Sequence, residues 1–358
     1  MHEATPPDTA FLQPPQFIRA DETGYPTRST RKIELVSSLA VLASGRIWAT
    51  WYAGKTPAED HNNYVVLATS DDDGESWSER WVIDPDGEGP ARAFDPELWV
   101  DPRGRLWSFW NQAVLHEGKV AGVWGSIIDD ADGDDPRPGE PRRITDGVMM
   151  CKPTVLADGT WLLPASTWRT TAHSARVIAS RDEGDSFELR GACDVAEEER
   201  VFDEHMIVER RDGSLWMLVR IRSGIGESVS TDGGRTWSPL QVSSLGHPSS
   251  RFFIRRLASG NLLLVKHGPI GEQTARTDLT AYLSDDDGRT WIGGLLLDDR
   301  EKISYPDGQQ TEDGTIYITY DFSRTEFREI LMARFTEDDI RAGQPVSSRA
   351  RLRLLINR

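Results

Sequence analysis

Six short segments, spaced about fifty residues apart, repeat one hairpin, and no other feature restricts the fold of this chain as tightly. They are Leu42-Ala-Ser-Gly-Arg-Ile-Trp48, Asp101-Pro-Arg-Gly-Arg-Leu-Trp107, Leu156-Ala-Asp-Gly-Thr-Trp-Leu162, Arg211-Asp-Gly-Ser-Leu-Trp216, Leu257-Ala-Ser-Gly-Asn-Leu-Leu263 and Thr311-Glu-Asp-Gly-Thr-Ile-Tyr317. Their glycines, Gly45, Gly104, Gly159, Gly213, Gly260 and Gly314, are separated by 59, 55, 54, 47 and 54 residues. A period in this range with one hairpin per repeat is the signature of a propeller, in which each repeat is one small sheet. The glycines then act as a ruler: residues at one offset from each share one location in the fold.

A length of 358 residues would by itself suggest two domains. The hairpins run through nearly all of it, so a single domain over residues 1–358 is expected. Residues 1–30 are an N-terminal extension, with a strand around Phe17-Ile-Arg19 expected to close the last blade. Cys151 and Cys193 are too few for a disulfide framework, and reduced thiols in a cytosolic protein are the expectation. The net charge of −17 opposes binding to nucleic acid or anionic membrane, both of which need basic patches. Met1-His-Glu-Ala-Thr-Pro-Pro7 has neither a basic n-region nor an apolar h-region, so no signal peptide is visible. A cytoplasmic location is expected unless a leader has been removed. No apolar run approaches the ~18 residues of a membrane helix.

From Ile33 onward, alternating apolar runs such as Ile47-Trp-Ala-Thr-Trp-Tyr52 and Leu215-Trp-Met-Leu-Val-Arg220 are separated by Gly, Asp and Pro turns, which reads as strands. Helical periodicity of any length is absent. The acidic stretch Asp129-Asp-Ala-Asp-Gly-Asp-Asp-Pro136 reads as a solvated loop, with a calcium loop as the alternative. A second motif interleaves with the hairpins. Ser70-Asp-Asp-Asp-Gly-Glu-Ser-Trp77, Ser180-Arg-Asp-Glu-Gly-Asp-Ser-Phe187, Ser230-Thr-Asp-Gly-Gly-Arg-Thr-Trp237 and Ser284-Asp-Asp-Asp-Gly-Arg-Thr-Trp291 share Ser-x-Asp-x-Gly-x-Ser/Thr-aromatic. The Asp can hydrogen-bond the turn's own backbone, Gly supplies positive φ and the ring tucks under the turn. The first two copies are two periods apart, so the blade near Trp124 is expected to lack the motif.

These turns resemble the Asp-box, or BNR, repeats of sialidases (neuraminidases) and their relatives, and the resemblance covers nearly the whole chain. It implies an all-β, six-bladed β-propeller of four-stranded antiparallel blades, with the boxes away from the active site. On the ruler, nine positions before each glycine lie Val36, Asp95, Met150, Glu204, Arg251 and Tyr305. Seven positions after lie Tyr52, Asn111, Ser166, Arg220, His267 and Asp321. Chemistry-bearing side chains concentrated at equivalent strand ends mark a candidate site at one mouth of the channel.

The resemblance assigns individual positions. The run Asp203-Glu204-His205 through Arg220 is similar to the family segment with the catalytic glutamate and second carboxylate-binding arginine, implying Glu204 and Arg220. Ala275-Arg276-Thr is similar to the segment with the third arginine, implying Arg276. Ile303-Ser-Tyr305-Pro-Asp-Gly resembles the segment with the nucleophilic tyrosine, implying Tyr305. Ala58-Glu59-Asp60-His61 sits where the family has its acid/base carboxylate, and Glu59 or Asp60 could fill that role. Where the family carries an arginine, about ten residues before the first hairpin glycine, this chain reads Arg31-Lys32-Ile33-Glu34-Leu35-Val36. The nearest cations are Arg31 and Lys32. A glycosidase-like pocket is therefore expected; a three-arginine clamp is not demonstrated by these residues, and an exo-alpha-sialidase stays one possibility with the sugar left open.

The chemistry is coherent without the family. Tyrosine, with an ordinary pKa of about 10, is a poor nucleophile without a base beside it. Glu204 and Tyr305 hold the same ruler position in different blades, so Glu204 can take the phenolic proton if the two meet across the channel. A neutral nucleophile suits a substrate bearing a carboxylate, and arginine forks suit that carboxylate. Further substrate-binding candidates are Arg251 and Lys152 as extra cations, Asp95, which either caps a turn with Pro96 or contacts substrate, and His205. No cofactor and no metal are expected. The leading expectation is an exo-acting glycoside hydrolase of sialidase-like type acting on a terminal acidic or modified sugar. The alternatives are a polysaccharide lyase or other glycosidase on uronate-containing glycans, with His61 or His205 as base, and a non-catalytic carbohydrate-binding propeller. The expected partner is a carbohydrate substrate; oligomeric state is left open.

Overall fold

The computed structural model describes residues 7–21, 25, 27–114, 121–168 and 174–357. Residues 1–6, which carry most of the reading of the N-terminus, lie outside it. Six antiparallel sheets follow one another along the chain, over residues 33–84, 91–146, 148–193, 205–242, 253–298 and 303–357. They are the six blades of the expected β-propeller, each built from the central channel outward. In blade 1 the strands Ile33–Val41, Ile47–Gly54 and Asn63–Ser70 are buried along their whole length. Each blade is covered by a neighbour on both faces, so both alternations of a strand face protein and apolar residues dominate each. Tryptophans fill the gaps between blades: Trp99 and Trp107 of blade 2 meet Trp161 of blade 3 edge-on, with ring centroids 4.7 and 6.1 Å apart.

All six hairpin glycines have left-handed φ, between 79° and 95°. That conformation costs glycine little and other residues much, which is why the ruler is marked by glycine. The inner strands show a second regularity. Those of blades 1, 2 and 6 each carry a bulge, where pairing with the next strand shifts between Leu35 and Ser38, Phe94 and Glu97, and Ser304 and Asp307. The first bulged residues are Val36, Asp95 and Tyr305, with φ of 48°, 45° and 57°. The ruler position nine before the glycine is thus a break in the inner strand. In blades 4 and 5 the same position, Glu204 and Arg251, lies just before the inner strands His205–Glu209 and Phe253–Arg256.

The four Asp boxes join the third and fourth strands of blades 1, 3, 4 and 5. In each the serine accepts from the glycine N–H, as Ser70 does from Gly74 at 2.9 Å, and the Asp accepts from the following Ser or Thr, as Asp72 does from Ser76 at 2.6 Å. The boxes lie on the face of the hairpin glycines, where Arg103 of one hairpin pairs with Glu183 of the next blade's box at 3.0 Å. Blade 2, which contains Trp124, lacks the box as expected, and the acidic turn after Ala121–Asp129 takes its place. Blade 6 lacks one too. There a short helix, Glu337–Ala342, sits between the last two strands, started by Asp339 accepting from the Thr336 N–H at 2.8 Å and ended by Gly343 at φ 67°. Six residues are too few to show a helical period in the sequence.

One expectation is corrected. The N-terminal strand, Gln16–Arg19, does not close the last blade; it pairs with Ser78–Asp84 as a fifth, outermost strand of blade 1. The last blade draws all four strands from residues 303–357. Side chains close the ring instead. The backbone N–H groups of Val36, Leu39 and Val41 donate to Asp321 Oδ2, Asp307 Oδ2 and Gln309 Oε1 of blade 6 at 2.9, 3.3 and 3.1 Å. Gln309 Nε2 returns a bond to the Val41 carbonyl at 2.8 Å. The edge of the first inner strand is thus satisfied without a shared strand.

Candidate active site

The bulge of blade 6 and the strand start of blade 4 bring Tyr305, Glu204 and Arg220 together at the channel mouth. Arg220 Nη1 donates to Glu204 Oε1 at 2.7 Å and to Tyr305 Oη at 2.8 Å. Tyr305 Oη in turn donates to Glu204 Oε1 at 3.2 Å. All three side chains are buried, with relative exposures of 6, 4 and 5 %. Burial pushes the Tyr305 phenol up; the Arg220 charge opposes this, Glu204 adds to it, and Arg324 and Arg276 pull down again. The triangle is arranged so that the phenolic proton has an acceptor and the phenolate that remains has a cation.

Two further guanidiniums face the same ring. Arg276 lies 5.6 Å from the Tyr305 ring centre and is held by Ser304 Oγ and the Ser249 carbonyl, both at 3.1 Å. Arg324 lies 4.5 Å from that centre and pairs with Asp321 at 3.3 Å. Arg324 was not among the sequence candidates. It lies ten residues after Gly314, three beyond the offset used, and extending the ruler would have reached it. Its carbonyl accepts from the Glu34 N–H at 3.0 Å, so its loop abuts the first inner strand where Leu35 replaces the family arginine. Neither Arg31 nor Lys32 substitutes. Arg31 is locked by Glu79, with two bonds of 2.7 Å, and by Glu34 at 3.0 Å, and Lys32 is exposed. A third arginine is present, then, but from the last blade instead of the first.

Of these groups Arg324 borders a cavity of 570 Å³, lined also by Glu59, Trp168, Phe202, Ile33, Pro57 and Thr325, and Arg220 packs behind its wall with its guanidinium 4.8 Å from the Phe202 ring centre. Glu59 accepts from Tyr52 Oη at 3.0 Å and has Arg92 Nη1 at 4.0 Å. Asp60 faces away from it: its carboxylate accepts from Thr56 Oγ1 at 2.6 Å and the Asn62 N–H at 2.8 Å, shaping the loop. Partial burial works to raise Asp60, but those hydrogen bonds outweigh it and hold the group below its usual range. Of the two acid/base alternatives, Glu59 is the one in the cavity wall. Asp95, on the blade 2 bulge, is buried and pushed up to about 8, first by burial and then by the Glu59 charge, against Arg92. Trp168 and Phe202 meet edge-on, with centroids 5.2 Å apart, and form the apolar side.

Three expected substrate contacts are not brought to the cavity. Arg251 lies under Tyr305, its guanidinium carbon 5.3 Å from the ring centre, and its Nη atoms donate to the carbonyls of Tyr305 at 3.0 Å, Ser37 at 3.2 Å and Met150. The Lys152 ammonium is surrounded by Ser38, Glu97, Asp307 and two backbone carbonyls. His205 sits between the carbonyls of Asp203 at 3.0 Å and Arg176 at 2.8 Å, and burial lowers it to about 4. Each is consumed by protein partners: Arg251 shares the ruler position of Glu204 and Tyr305 but spends its fork on carbonyls, and His205 and Lys152 lie one and two positions beyond that level, in the core. Among the described residues no group of three or more His, Cys, Asp or Glu is arranged to hold a metal ion.

Known proteins share this architecture. A family model described as a BNR repeat-like domain matches residues 45–318. A sialidase of Micromonospora viridifaciens is 25% identical over 335 residues, covering 80% of this chain and 49% of its own length, so the chain spans about half of that curated relative. Among solved structures, the intramolecular trans-sialidase from Ruminococcus gnavus, in complex with oseltamivir carboxylate, superposes with a TM-score of 0.69 at 15% identity, covering 90% of this chain and 98% of that one. The Hadza microbial sialidase Hz136 superposes with a TM-score of 0.65 at 19% identity, over 82% of this chain and 64% of that one. With this match across most of its length and six blades carrying four Asp boxes, the chain belongs to the BNR repeat-like family, on a sialidase-like six-bladed propeller.

Proposed function

We propose that this protein is an exo-acting glycoside hydrolase of sialidase-like type that removes a terminal sugar bearing a carboxylate. The observation that carries this reading is the Tyr305–Glu204–Arg220 triangle beside two further guanidiniums. Arg220, Arg276 and Arg324 hold the sugar carboxylate, each by charge-assisted hydrogen bonds. That charge makes an anionic nucleophile unfavourable, and Tyr305, neutral until it reacts, is the alternative that sialidases are recognised for using. Its hydroxyl attacks the anomeric carbon as Glu204 takes the proton, while Glu59 protonates the departing oxygen. Glu59 then draws a proton from water as the water oxygen displaces Tyr305 from the anomeric carbon, and Glu204 returns its proton to the departing phenolate, which restores all three groups. The affinity of the chain with proteins named sialidases supports hydrolysis of a glycan. The identity of the sugar rests on the cations alone.

The lyase alternative needs an accessible imidazole, and His205, one of its two candidates, has both ring nitrogens against carbonyls. The test is a panel of sialosides, other 2-keto-acid glycosides and uronate-capped oligosaccharides, with Tyr305→Phe as control. Release of a terminal acidic sugar that depends on Tyr305 supports the proposal. Unsaturated uronate products, or turnover indifferent to Tyr305→Phe, would sink it.

A further inference from the structure

Two residues below each bulge, one step deeper in the channel, lie Ser38, Glu97 and Asp307. All three converge on one ammonium from blade 3. Lys152 Nζ is 3.0 Å from Ser38 Oγ, 2.8 Å from Glu97 Oε1 and 2.6 Å from Asp307 Oδ2. It also donates to the carbonyls of Leu39 at 2.9 Å and Leu98 at 2.6 Å. Five acceptors surround three N–H bonds, so the ammonium has no capacity left for a ligand. Ser38 Oγ also bonds Asp307 Oδ2 at 2.7 Å and accepts from the Leu98 N–H at 2.9 Å. Ser38, Glu97 and Asp307 are 0–1 % exposed and Lys152 is 7 % exposed.

The bulges above these feet need holding. Val36, Asp95 and Tyr305 are non-glycine residues in the left-handed region, a conformation that persists only where the surroundings over-determine it. Arg251 grips the bulges themselves, through the carbonyls of Tyr305 and Ser37. Lys152 grips their feet. Two buried carboxylates share this one ammonium, and burial together with the Asp307 charge pushes Glu97 up, against Lys152 and then Arg251. Arg255, half-buried with Nη1 on the Pro153 carbonyl, and the Cys151 thiol also face the two carboxylates.

We propose that Lys152 is a positioning residue for the active site: by clamping Ser38, Glu97 and Asp307 it fixes the three bulges and so aims Tyr305 at Glu204. The catalytic half of this statement rests on the hydrolase reading above. A misplacement of about 1 Å at a reacting group can cost roughly 100-fold in rate. The test compares Lys152→Met with Lys152→Met/Glu97→Gln/Asp307→Asn, which removes the clamp without stranding a buried charge and serves where the single variant does not fold. Foldedness is checked by circular dichroism. Turnover is measured on the best substrate of the panel, and the carbon-13 NMR signal of the Tyr305 ring, assigned by its loss in Tyr305→Phe, is followed in parallel. The expected result is kcat down by about 100-fold with KM within about threefold, and a displaced or split Tyr305 signal, in every variant that folds. Folded variants with unchanged kcat and an unchanged Tyr305 signal would overturn the clamp and leave only a stabilising role. If the unmodified protein turns over nothing on the panel, the hydrolase reading fails by itself, and the Tyr305 signal still decides for or against the clamp.

Discussion

Tyr305 and Glu204, 101 residues apart in sequence, meet with 3.2 Å between hydroxyl and carboxylate, and Arg220 bonds both. A tyrosine, a base and a cation in mutual contact on a buried floor give the phenol a route to ionise that neither partner alone supplies.

Tyr305→Phe tests that arrangement. Removing the hydroxyl leaves the Arg220–Glu204 pair at 2.7 Å intact, so folding stability changes by about 1 kcal/mol or less. Turnover of the best panel substrate falls by roughly 1000-fold or more, in line with losses on removing a reacting group. Thermal melts and initial rates measure the two quantities separately.

The proposed reaction gives Glu204 a structural and a chemical share, and two substitutions divide them. Glu204→Ala strands the buried Arg220 charge and costs about 3–5 kcal/mol of stability. Glu204→Gln keeps an acceptor for Arg220, costs less, and still lowers kcat by about 100- to 10,000-fold through loss of the base. A Gln variant with the unmodified rate would remove Glu204 from the chemistry.

Arg324 and Arg31 make an opposed pair. Arg324→Ala raises KM for acid-bearing substrates by roughly 10- to 100-fold, the worth of one charge-assisted bond. Arg31→Met lowers the melting temperature, because it strands Glu34 and Glu79, and leaves KM unmoved. Steady-state kinetics on an acidic substrate and its amide decide the first; differential scanning calorimetry decides the second.

Asp95 sets a slope of stability between about pH 4 and pH 8. Its pKa is raised to about 8 in the folded protein by burial and by Glu59, from about 4 unfolded. Between those values the folded state holds a proton that the unfolded state has released, so stability falls as pH rises from about 4 to about 8, by an amount on the order of 5 kcal/mol. Asp95→Asn removes the penalty: it raises the melting temperature clearly at pH 8 and little at pH 4. The box residues Asp72, Asp182 and Asp286, each lowered to about 2 by hydrogen bonds led by those from Ser76, Ser186 and Thr290, work in the opposite sense. Their contribution is present above about pH 4 and is lost as pH falls toward 2. Melts across this range in Asp95→Asn separate the two limbs.

The fold was legible because its punctuation is chemical. A hairpin that needs φ near 80° must write glycine, and a box that bonds its own backbone must write Ser, Asp and Gly, so both recur in the chain. Tyr305 and Glu204 became a pair through that period. Arg324 did not, because the first-blade arginine was sought in the first blade, whereas ring closure sets the end of the chain beside its beginning. Arg251 and Lys152 were misread for a related reason. The ruler locates a level along the channel but not whether a side chain at that level points into solvent or into carbonyl oxygens. The fifth strand of blade 1 was visible as a strand, but nothing in Phe17-Ile-Arg19 names its partner.

The bulges of blades 1, 2 and 6 present Val36, Asp95 and Tyr305 from the same backbone geometry. That geometry is set by strand pairing beneath, not by the side chains displayed. The mouth is therefore a rack of interchangeable sockets, one holding a tyrosine, one an aspartate and one a valine. New chemistry can be written into the Val36 socket without rebuilding the scaffold that aims it.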